Sequence, residues 1–230
     1  MTVENLANDN ILNIFKPKGW SSFDVVRKVR NVTRIRKIGH AGTLDPFATG
    51  VLLLALGKAC KQITTLQDLS KEYVGEIELG LVTDTLDPTG EITQTNSFAD
   101  VTEKAIQALK KEFTGEIEQV PPAFSAIKIN GVRAYQLARK GKPVELKSRK
   151  VHIHSFEILK IDLPIIKIKI ECSKGTYIRS LARDVGEKLG TGGILRSLER
   201  TRIGDYLVED SLTIDELIQQ VKNRKLFKPE

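Results

Sequence analysis

The segment GHAGTLDPFATG, residues 39–50, places one carboxylate, that of Asp45, in a loop with few backbone conformations. Proline follows Asp45 and pushes it towards an extended conformation. Apolar side chains, those of Leu44 and Phe47, flank the Asp-Pro pair. A carboxylate held in this way could serve as a nucleophile. An Asx-type structural turn fits the same pattern, so the local sequence leaves both interpretations open.

A second Asp-Pro pair, Asp87–Pro88, offers a comparison within the chain. It lies between the strand-like segments EIELGL and EITQT, and Gly90 closes it at the position that a type I turn favours. We therefore interpret Asp87 as a hairpin-turn residue and nothing more. In the Asp45 loop the final glycine, Gly50, comes too late for that turn.

The segment SKGTYIRSLARD, residues 173–184, is the second cluster that could do chemistry. We predict a helix that begins at Thr176, directly after a strand, so that Tyr177 and Arg179 lie in its first turn at a sheet edge. An arginine there could hold a carboxylate from another loop in a bidentate pair. The alternative is an exposed arginine on an amphipathic helix, and this segment alone does not separate the two.

Motifs for nucleotide cofactors and metals are missing from the sequence. It has neither Gly-x-Gly-x-x-Gly nor a Walker-type phosphate loop. His152 and His154 share one face of a predicted strand, but no further ligand cluster stands near them, so we interpret them as surface histidines. We expect no cofactor and no metal.

The basic residues of the chain are segregated. Residues 16–37 hold eight Lys or Arg against one acidic residue, and residues 128–150 again hold eight against one, in a chain of net charge +7. Two such stretches in an otherwise acidic chain are typical of a surface that binds a polyanion, and they favour nucleic acid over two solvated helix faces.

Composition limits the class of protein. The longest apolar run, VLLLAL (51–56), is too short to cross a bilayer, and residues 1–10 lack a signal-peptide pattern. The two cysteines lie far apart and form no Cys-x-x-Cys motif. We expect a cytoplasmic protein with reduced thiols.

Strand pairs and single helices alternate along the chain, which favours an α+β fold around a mixed, largely antiparallel sheet flanked by helices. Among the predicted strands are 51–56, 72–81, 151–159, 165–172 and 202–208, with 72–81 paired through the Asp87 turn. Residues 120–150 interrupt this order with two prolines, an Asn-Gly pair and a strongly basic short helix. We expect them to form an insertion that leaves the core.

Five segments together resemble the bacterial TruB family of tRNA pseudouridine-55 synthases. They are KPKGWSSFDVVRKVR, GHAGTLDPFATGVLLLALGKACK, KEYVGEIELGLVTDTLDPTGEI, VPPAFSAIKINGVRAYQLARKG and CSKGTYIRSLARDVGEKLGTGG. They occur in the family's order over roughly residues 10–215. The resemblance implies a pseudouridine synthase fold with an RNA-binding insertion at about 120–150, and isomerisation of uridine 55 in the T-loop of tRNA after the base is flipped out.

The resemblance also implies roles for individual residues. Asp45 is the catalytic nucleophile, Arg179 pairs with it, and Tyr73 stacks on the flipped uracil. As a further hypothesis, the phenol of Tyr73 takes up the final proton. Three more residues bind the substrate: His40 lies against the RNA, Tyr177 lines the uracil pocket, and Leu198 closes that pocket from below.

Family members usually continue into a small PUA-type domain that contacts the acceptor end of tRNA. This chain stops soon after a predicted helix at 213–222, so we expect that domain to be absent or truncated. The resemblance implies binding to the T-arm stem-loop of tRNA, and we expect a monomer with no membrane partner.

Two other functions agree with part of the sequence. A non-catalytic RNA-binding module would explain the basic surface, but it gives no reason to keep both Asp45 and Arg179. A nucleoside hydrolase would usually need two carboxylates as acid and base, and the sequence near Asp45 offers no second one.

Overall fold

The computed structural model describes residues 11–129 and 131–223; the signal-peptide prediction for residues 1–10 lies outside them. The strands are β1 (Ile11–Lys16), β2 (Ile38–His40), β3 (Thr49–Leu56), β4 (Lys71–Leu79), β5 (Leu81–Thr83), β6 (Ile92–Thr95), β7 (Gly115–Gln119), β8 (Lys128–Ile129), β9 (Val132–Arg133), β10 (Arg149–Asp162), β11 (Ile165–Cys172), β12 (Gly193–Ile203) and β13 (Tyr206–Leu207). The α-helices are α1 (Ser22–Thr33), α2 (Ile63–Asp68), α3 (Glu103–Glu112), α4 (Ala134–Ala138), α5 (Ile178–Lys188) and α6 (Ile214–Lys222), and a 3₁₀-helix covers Gly57–Gln62.

The predicted α+β class is confirmed. The pairings of β1 with β3, β2 with β3, β10 with β11 and β10 with β7 are antiparallel, whereas β3 with β12 is parallel, which makes the sheet mixed. The described residues divide into two compact units. The first unit contains the residues up to Tyr73 and from Leu198 onward, and the second contains Val74–Ser197.

In the first unit β3 has β1 on one side and β12 on the other. The continuous apolar run VLLLAL is buried on both faces of this strand, as expected for a central strand. Leu52 and Leu54 pack with helices α1 and α6 in one hydrophobic cluster, and Val51 and Leu53 pack in a second cluster on the other face. This packing makes β3 a rigid support for the loop that precedes it.

In the second unit the strand order is β12, β4, β11, β10, β7, with β12 represented by its residues up to Ser197 and β4 by those from Val74 onward. The alternating apolar residues of 165–172 predict the strand β11 with its observed bounds. Strands β10 and β11 form an antiparallel hairpin, and β7 pairs with the other edge of β10. Helix α5 follows β11 after a turn of five residues, 173–177.

The basic segment 120–150 contains only short elements. A two-residue pairing of β8 with β9 leads into the single-turn helix α4, and residues 142–148 have no regular structure. Arg149 and Lys150, which we placed in this segment, already belong to β10. Its role as an RNA-binding insertion stays a prediction.

Two predicted elements were wrong in part, and one strand was not predicted. The final strand 202–208 is instead a hairpin, because Arg202 of β12 pairs with Leu207 of β13. Strand β12 itself was missed, because its charged side chains hide the alternation of GILRSLERTRI. The Asp87 turn joins β6 to the short strand β5, while β4 pairs in the main sheet.

Candidate active site

The Asp45 loop joins β2 to β3 in the first unit. Asp45 itself opens a four-residue turn, in which the Ala48 N–H donates to the Asp45 carbonyl over 3.1 Å. The turn therefore closes on Ala48 without any need for Gly50. Leu44 and Phe47 are buried on either side, while Asp45 is half-buried. Apolar anchors thus hold the loop on both sides of Asp45.

Arg200 is buried and supports this loop from beneath. Its guanidinium donates to the carbonyls of Val51 (2.8 Å), Thr43 (3.5 Å) and Gly42 (3.4 Å). Gly50 allows the close approach of β3 and β12, because a Cβ there would lie 2.3 Å from the Arg200 carbonyl oxygen. One side chain therefore ties together the start of the loop and the strand that follows it.

Lys16 is the second buried cation under the loop. Its ammonium donates to the carbonyls of Trp20 (2.7 Å), Pro17 (3.0 Å) and Pro46 (3.4 Å), the residue after Asp45. Burial lowers the pKa of Lys16 to about 8, and the charge of Asp45 opposes this change. Sequence reasoning missed both Lys16 and Arg200, because nothing local distinguishes them from surface cations.

Helix α1 also contacts the loop. Ser21 caps the helix in a capping box with Asp24. The next residue, Ser22, is buried, and its hydroxyl accepts from the Leu44 N–H (2.9 Å) and donates to the Leu44 carbonyl (3.2 Å). The residue before Asp45 is therefore fixed by a side chain, and the residue after it by Lys16.

Arg179 lies in the second unit, in the first turn of α5, and is 5% exposed. Its guanidinium donates to the carbonyls of Thr85 (2.8 Å) and Phe124 (2.9 Å). The alternative of a surface arginine is wrong. Arg179 joins the Asp87 hairpin to the start of the basic segment 120–150, while its pairing with Asp45 stays a prediction.

Asp87 is more than a turn residue, which corrects the interpretation from sequence. The predicted turn is present, since the Gly90 N–H donates to the Asp87 carbonyl (3.4 Å). The Asp87 carboxylate, however, is buried, accepts from the Thr89 N–H (2.9 Å), and lies 3.6 Å from Arg179 Nη1. The hairpin therefore supplies a buried carboxylate to Arg179.

Tyr177 is the residue before α5, which begins at Ile178 and not at Thr176. The side-chain amide of Gln119 bonds the Tyr177 backbone twice, accepting from its N–H (2.8 Å) and donating to its carbonyl (3.1 Å). Arg149 lies over the Tyr177 ring, with Cζ 4.7 Å from the ring centroid. Tyr177 is thus held by both its backbone and its ring.

The other predicted site residues belong to the first unit. Tyr73 on β4 and Leu198 on β12 are each 8% exposed, and His40 is half-buried at the end of β2, five residues before Asp45. Asp45, His40, Tyr73 and Leu198 therefore share one compact unit, and Arg179 and Tyr177 share the other.

Residues 11–129 and 131–223 contain neither a metal-binding cluster nor a membrane-spanning helix. No group of three His, Cys, Asp or Glu side chains there could hold a metal ion. His152 and His154 have ring centroids 4.8 Å apart and are exposed. In the same part of the chain no helix is long and apolar enough to span a membrane.

Two solved complexes contain chains with a similar fold. One is the crystal structure of a Cbf5-Nop10-Gar1 complex. The match covers 100% of this chain and 62% of the solved chain, with a TM-score of 0.75 and 31% identity. This chain also matches 59% of a chain in an H/ACA RNP bound to a substrate RNA containing 2'-deoxyuridine, with a TM-score of 0.71 and 28% identity.

Sequence relatives are more similar. A tRNA pseudouridine synthase B of Clostridium tetani is 44% identical, with 92% of this chain and 73% of the relative covered. One from Bacteroides fragilis is 48% identical, with 90% and 92% covered. Residues 30–178 match the family model for the N-terminal domain of the TruB family of pseudouridylate synthases, and residues 179–228 match that for a tRNA pseudouridylate synthase B C-terminal domain. The chain therefore belongs to the TruB family of pseudouridylate synthases.

Proposed function

We propose that this protein isomerises uridine 55 in the T-loop of tRNA to pseudouridine, with Asp45 as the nucleophile. The observation that carries the proposal is the support of the Asp45 loop. Two buried cations, Lys16 and Arg200, bind four backbone carbonyls in the loop or directly after it, those of Gly42, Thr43, Pro46 and Val51. A nucleophile profits from such preorganisation, since misplacement by about 1 Å can cost about 100-fold in rate.

The chemistry balances without any added reactant. The N1–C1′ glycosidic bond of the uridine breaks, the uracil turns, and a C5–C1′ bond forms. The proton on C5 is lost and N1 gains one, so the product is an isomer of the substrate. Asp45 forms a transient covalent bond to the nucleoside, and the atoms balance whether that bond is to the ribose or to the base.

Tyr73 stacks on the flipped uracil, and its phenol oxygen accepts the C5 proton while its own O–H proton passes to solvent, from which N1 is protonated. Extrusion of the target base costs about a few kcal/mol, and stacking on an aromatic ring returns about 1–3 kcal/mol per base. Tyr73 and Leu198 are nearly buried, as expected for residues that shape an apolar pocket. His40 contacts the RNA beside the extruded nucleotide, and Tyr177 and Arg179 complete the site.

The T-arm stem-loop is the part of tRNA that the protein binds, with the basic segment 120–150 as the gripping surface. Arg139, Lys140 and Lys142 are all exposed there. Since each neutralised phosphate releases counterions, their side chains provide salt-dependent affinity without sequence information. The relatives' name, tRNA pseudouridine synthase B, supports tRNA as the substrate.

We further propose that the enzyme works as a monomer in the cytoplasm, where tRNA is modified. One chain carries all six predicted site residues, so no second copy is needed to complete the site. Light scattering of the purified protein, alone and with tRNA, should give the mass of one chain and of a one-to-one complex.

The direct test of this function is incubation with an unmodified tRNA transcript, followed by mapping of pseudouridine with carbodiimide-dependent reverse-transcription stops. We expect one new stop, at position 55. Binding without any stop would favour the RNA-binding module, and release of free uracil would favour the hydrolase. A T-arm stem-loop alone should be modified with a kcat/KM within about tenfold of that for the whole transcript.

A further inference from the structure

We propose that Gln119 and Arg149 form a clamp that positions Tyr177, and that Arg149 is a positioning residue for the reaction. The proposal rests on the function proposed above, in which Tyr177 lines the uracil pocket. Both residues lie in the second unit, directly opposite each other on the neighbouring strands β7 and β10. Their side chains reach the same residue, Tyr177, from a rigid sheet.

Gln119 fixes the backbone of Tyr177. The Gln119 side chain is 1% exposed, and its amide uses one acceptor and one donor on the Tyr177 peptide groups. Tyr177 has an extended backbone (φ −101°, ψ 111°) and no side-chain hydrogen bond caps the helix there. The Gln119 amide thus gives a partner to the Tyr177 N–H at the helix start, and it adds a second donor to the Tyr177 carbonyl, which also accepts from the Leu181 N–H.

Arg149 fixes the ring of Tyr177. Its guanidinium carbon lies 4.7 Å from the ring centroid, and its Nη2 donates to the Gly175 carbonyl. Gly175 has φ +82° and brings its backbone close to the guanidinium, since a Cβ there would lie 3.7 Å from Arg149 Cζ. A guanidinium held by a carbonyl and attracted to the face of the ring restricts the rotation of the tyrosine side chain.

The turn before Tyr177 is fixed by two hydrogen bonds. The Thr176 hydroxyl donates to the Ser173 carbonyl (3.0 Å), and the Gly175 carbonyl accepts from Arg149. A loose Tyr177 ring would leave the uracil free to take non-productive orientations. The chemical step should therefore suffer more than the affinity for tRNA.

The test compares Arg149→Met with Lys167→Met, which removes one cation from the exposed side of the neighbouring strand β11. Rates are measured as release of tritium from C5 of uridine in a single turnover at saturating enzyme. We expect Arg149→Met to lower the rate by about tenfold or more and Lys167→Met to change it by less than about twofold. Affinities of the two variants for tRNA should agree within about threefold. A tRNA affinity more than threefold weaker for Arg149→Met would make Arg149 a phosphate contact and overturn the proposal.

A double-mutant cycle with Tyr177→Leu separates positioning from a general loss of structure. The quantity compared is the fold-reduction in rate that Arg149→Met causes in each background. If Arg149 acts through the Tyr177 ring, this reduction should be at least about fivefold smaller in the Tyr177→Leu protein than in the wild type. A smaller difference overturns the proposal. The unmutated protein is measured in the same series. If the proposed function is wrong, the unmutated protein itself forms no pseudouridine, which distinguishes that failure from a failure of the clamp.

Discussion

Asp87 Oδ2 lies 3.6 Å from Arg179 Nη1, and both side chains are about 95% buried. A buried carboxylate beside an arginine restricts where the guanidinium can point, because the planar group must meet its acceptors in fixed directions. Two carbonyls, those of Thr85 and Phe124, complete this arrangement. The turn that carries Asp87 is therefore part of the support for Arg179.

Replacement of Asp87 by asparagine should slow catalysis and destabilise the fold. The variant keeps the shape of the side chain but removes the charge beside Arg179. Loss of a charged, buried acceptor costs about 1–3 kcal/mol, which urea unfolding will measure. Asp84→Asn is the matched control, because Asp84 is an exposed carboxylate of the same hairpin and accepts from the Glu91 N–H. Equal stability of the two variants would contradict a structural role for the Asp87 charge.

Arg179→Lys should reduce the single-turnover rate by more than about tenfold. The lysine keeps the charge but cannot reach both carbonyls and the carboxylate of Asp87, because it lacks the planar fork. Arg183→Lys, one turn later on α5 and half-buried, should stay within about twofold of the wild type. If Arg179→Lys also stays within twofold, its geometry does not matter to the chemical step.

The sequence predicts those strands whose own residues carry a clear hydrophobic pattern. The run VLLLAL and the alternation of IIKIKIEC are strong local signals, and the strands they predict are present. Strand β12 has no such signal, because its arginine at 200 is charged in sequence but buried in the fold. Its burial depends on three carbonyls contributed by distant residues.

Candidate site residues could be named from the sequence only where they match a family motif, as Asp45, Arg179 and Tyr177 do. Lys16 also stands in one of the matching segments, but its contact with Pro46, like that of Gln119 with Tyr177, joins residues distant in sequence, and no spacing reveals it. Asp87 shows the limit most plainly. Its turn chemistry is local and was predicted, but its second partner, Arg179, is distant in sequence and comes close only in the folded chain.

The basic segment 120–150 should control the salt dependence of binding. The slope of log affinity against log salt counts neutralised phosphates at roughly 0.7 to 0.9 each. Replacement of Arg139, Lys140 and Lys142 together by alanine should flatten this slope while the rate at saturating tRNA stays nearly unchanged. The control replaces three exposed lysines of α3, namely Lys104, Lys110 and Lys111. Identical slopes for the two triple variants would show that 120–150 is only a solvated surface.

The ionisation of Lys16 should make stability depend on pH. Lys16 has a pKa of about 8 in the fold, against 10.5 ordinarily. Between these values the unfolded chain binds more protons, so the free energy of unfolding rises with pH. Lys16→Met lacks this contribution. The free energy of unfolding of the wild type minus that of Lys16→Met should therefore increase by about 1–3 kcal/mol from about pH 7 to about pH 10. Urea unfolding at both pH values measures it, and a constant difference would refute the assigned pKa.

The central claim, that Asp45 is the nucleophile, is tested most directly by Asp45→Asn. Asparagine keeps the size and polarity of the side chain and removes only the nucleophilic charge. The measurement is a single-turnover assay on tRNA transcript at saturating enzyme, with tRNA affinity determined on the same preparation. We predict an affinity within about twofold of the wild type and no detectable pseudouridine at position 55. Formation of pseudouridine by this variant at more than about one hundredth of the wild-type rate would contradict the assignment of Asp45.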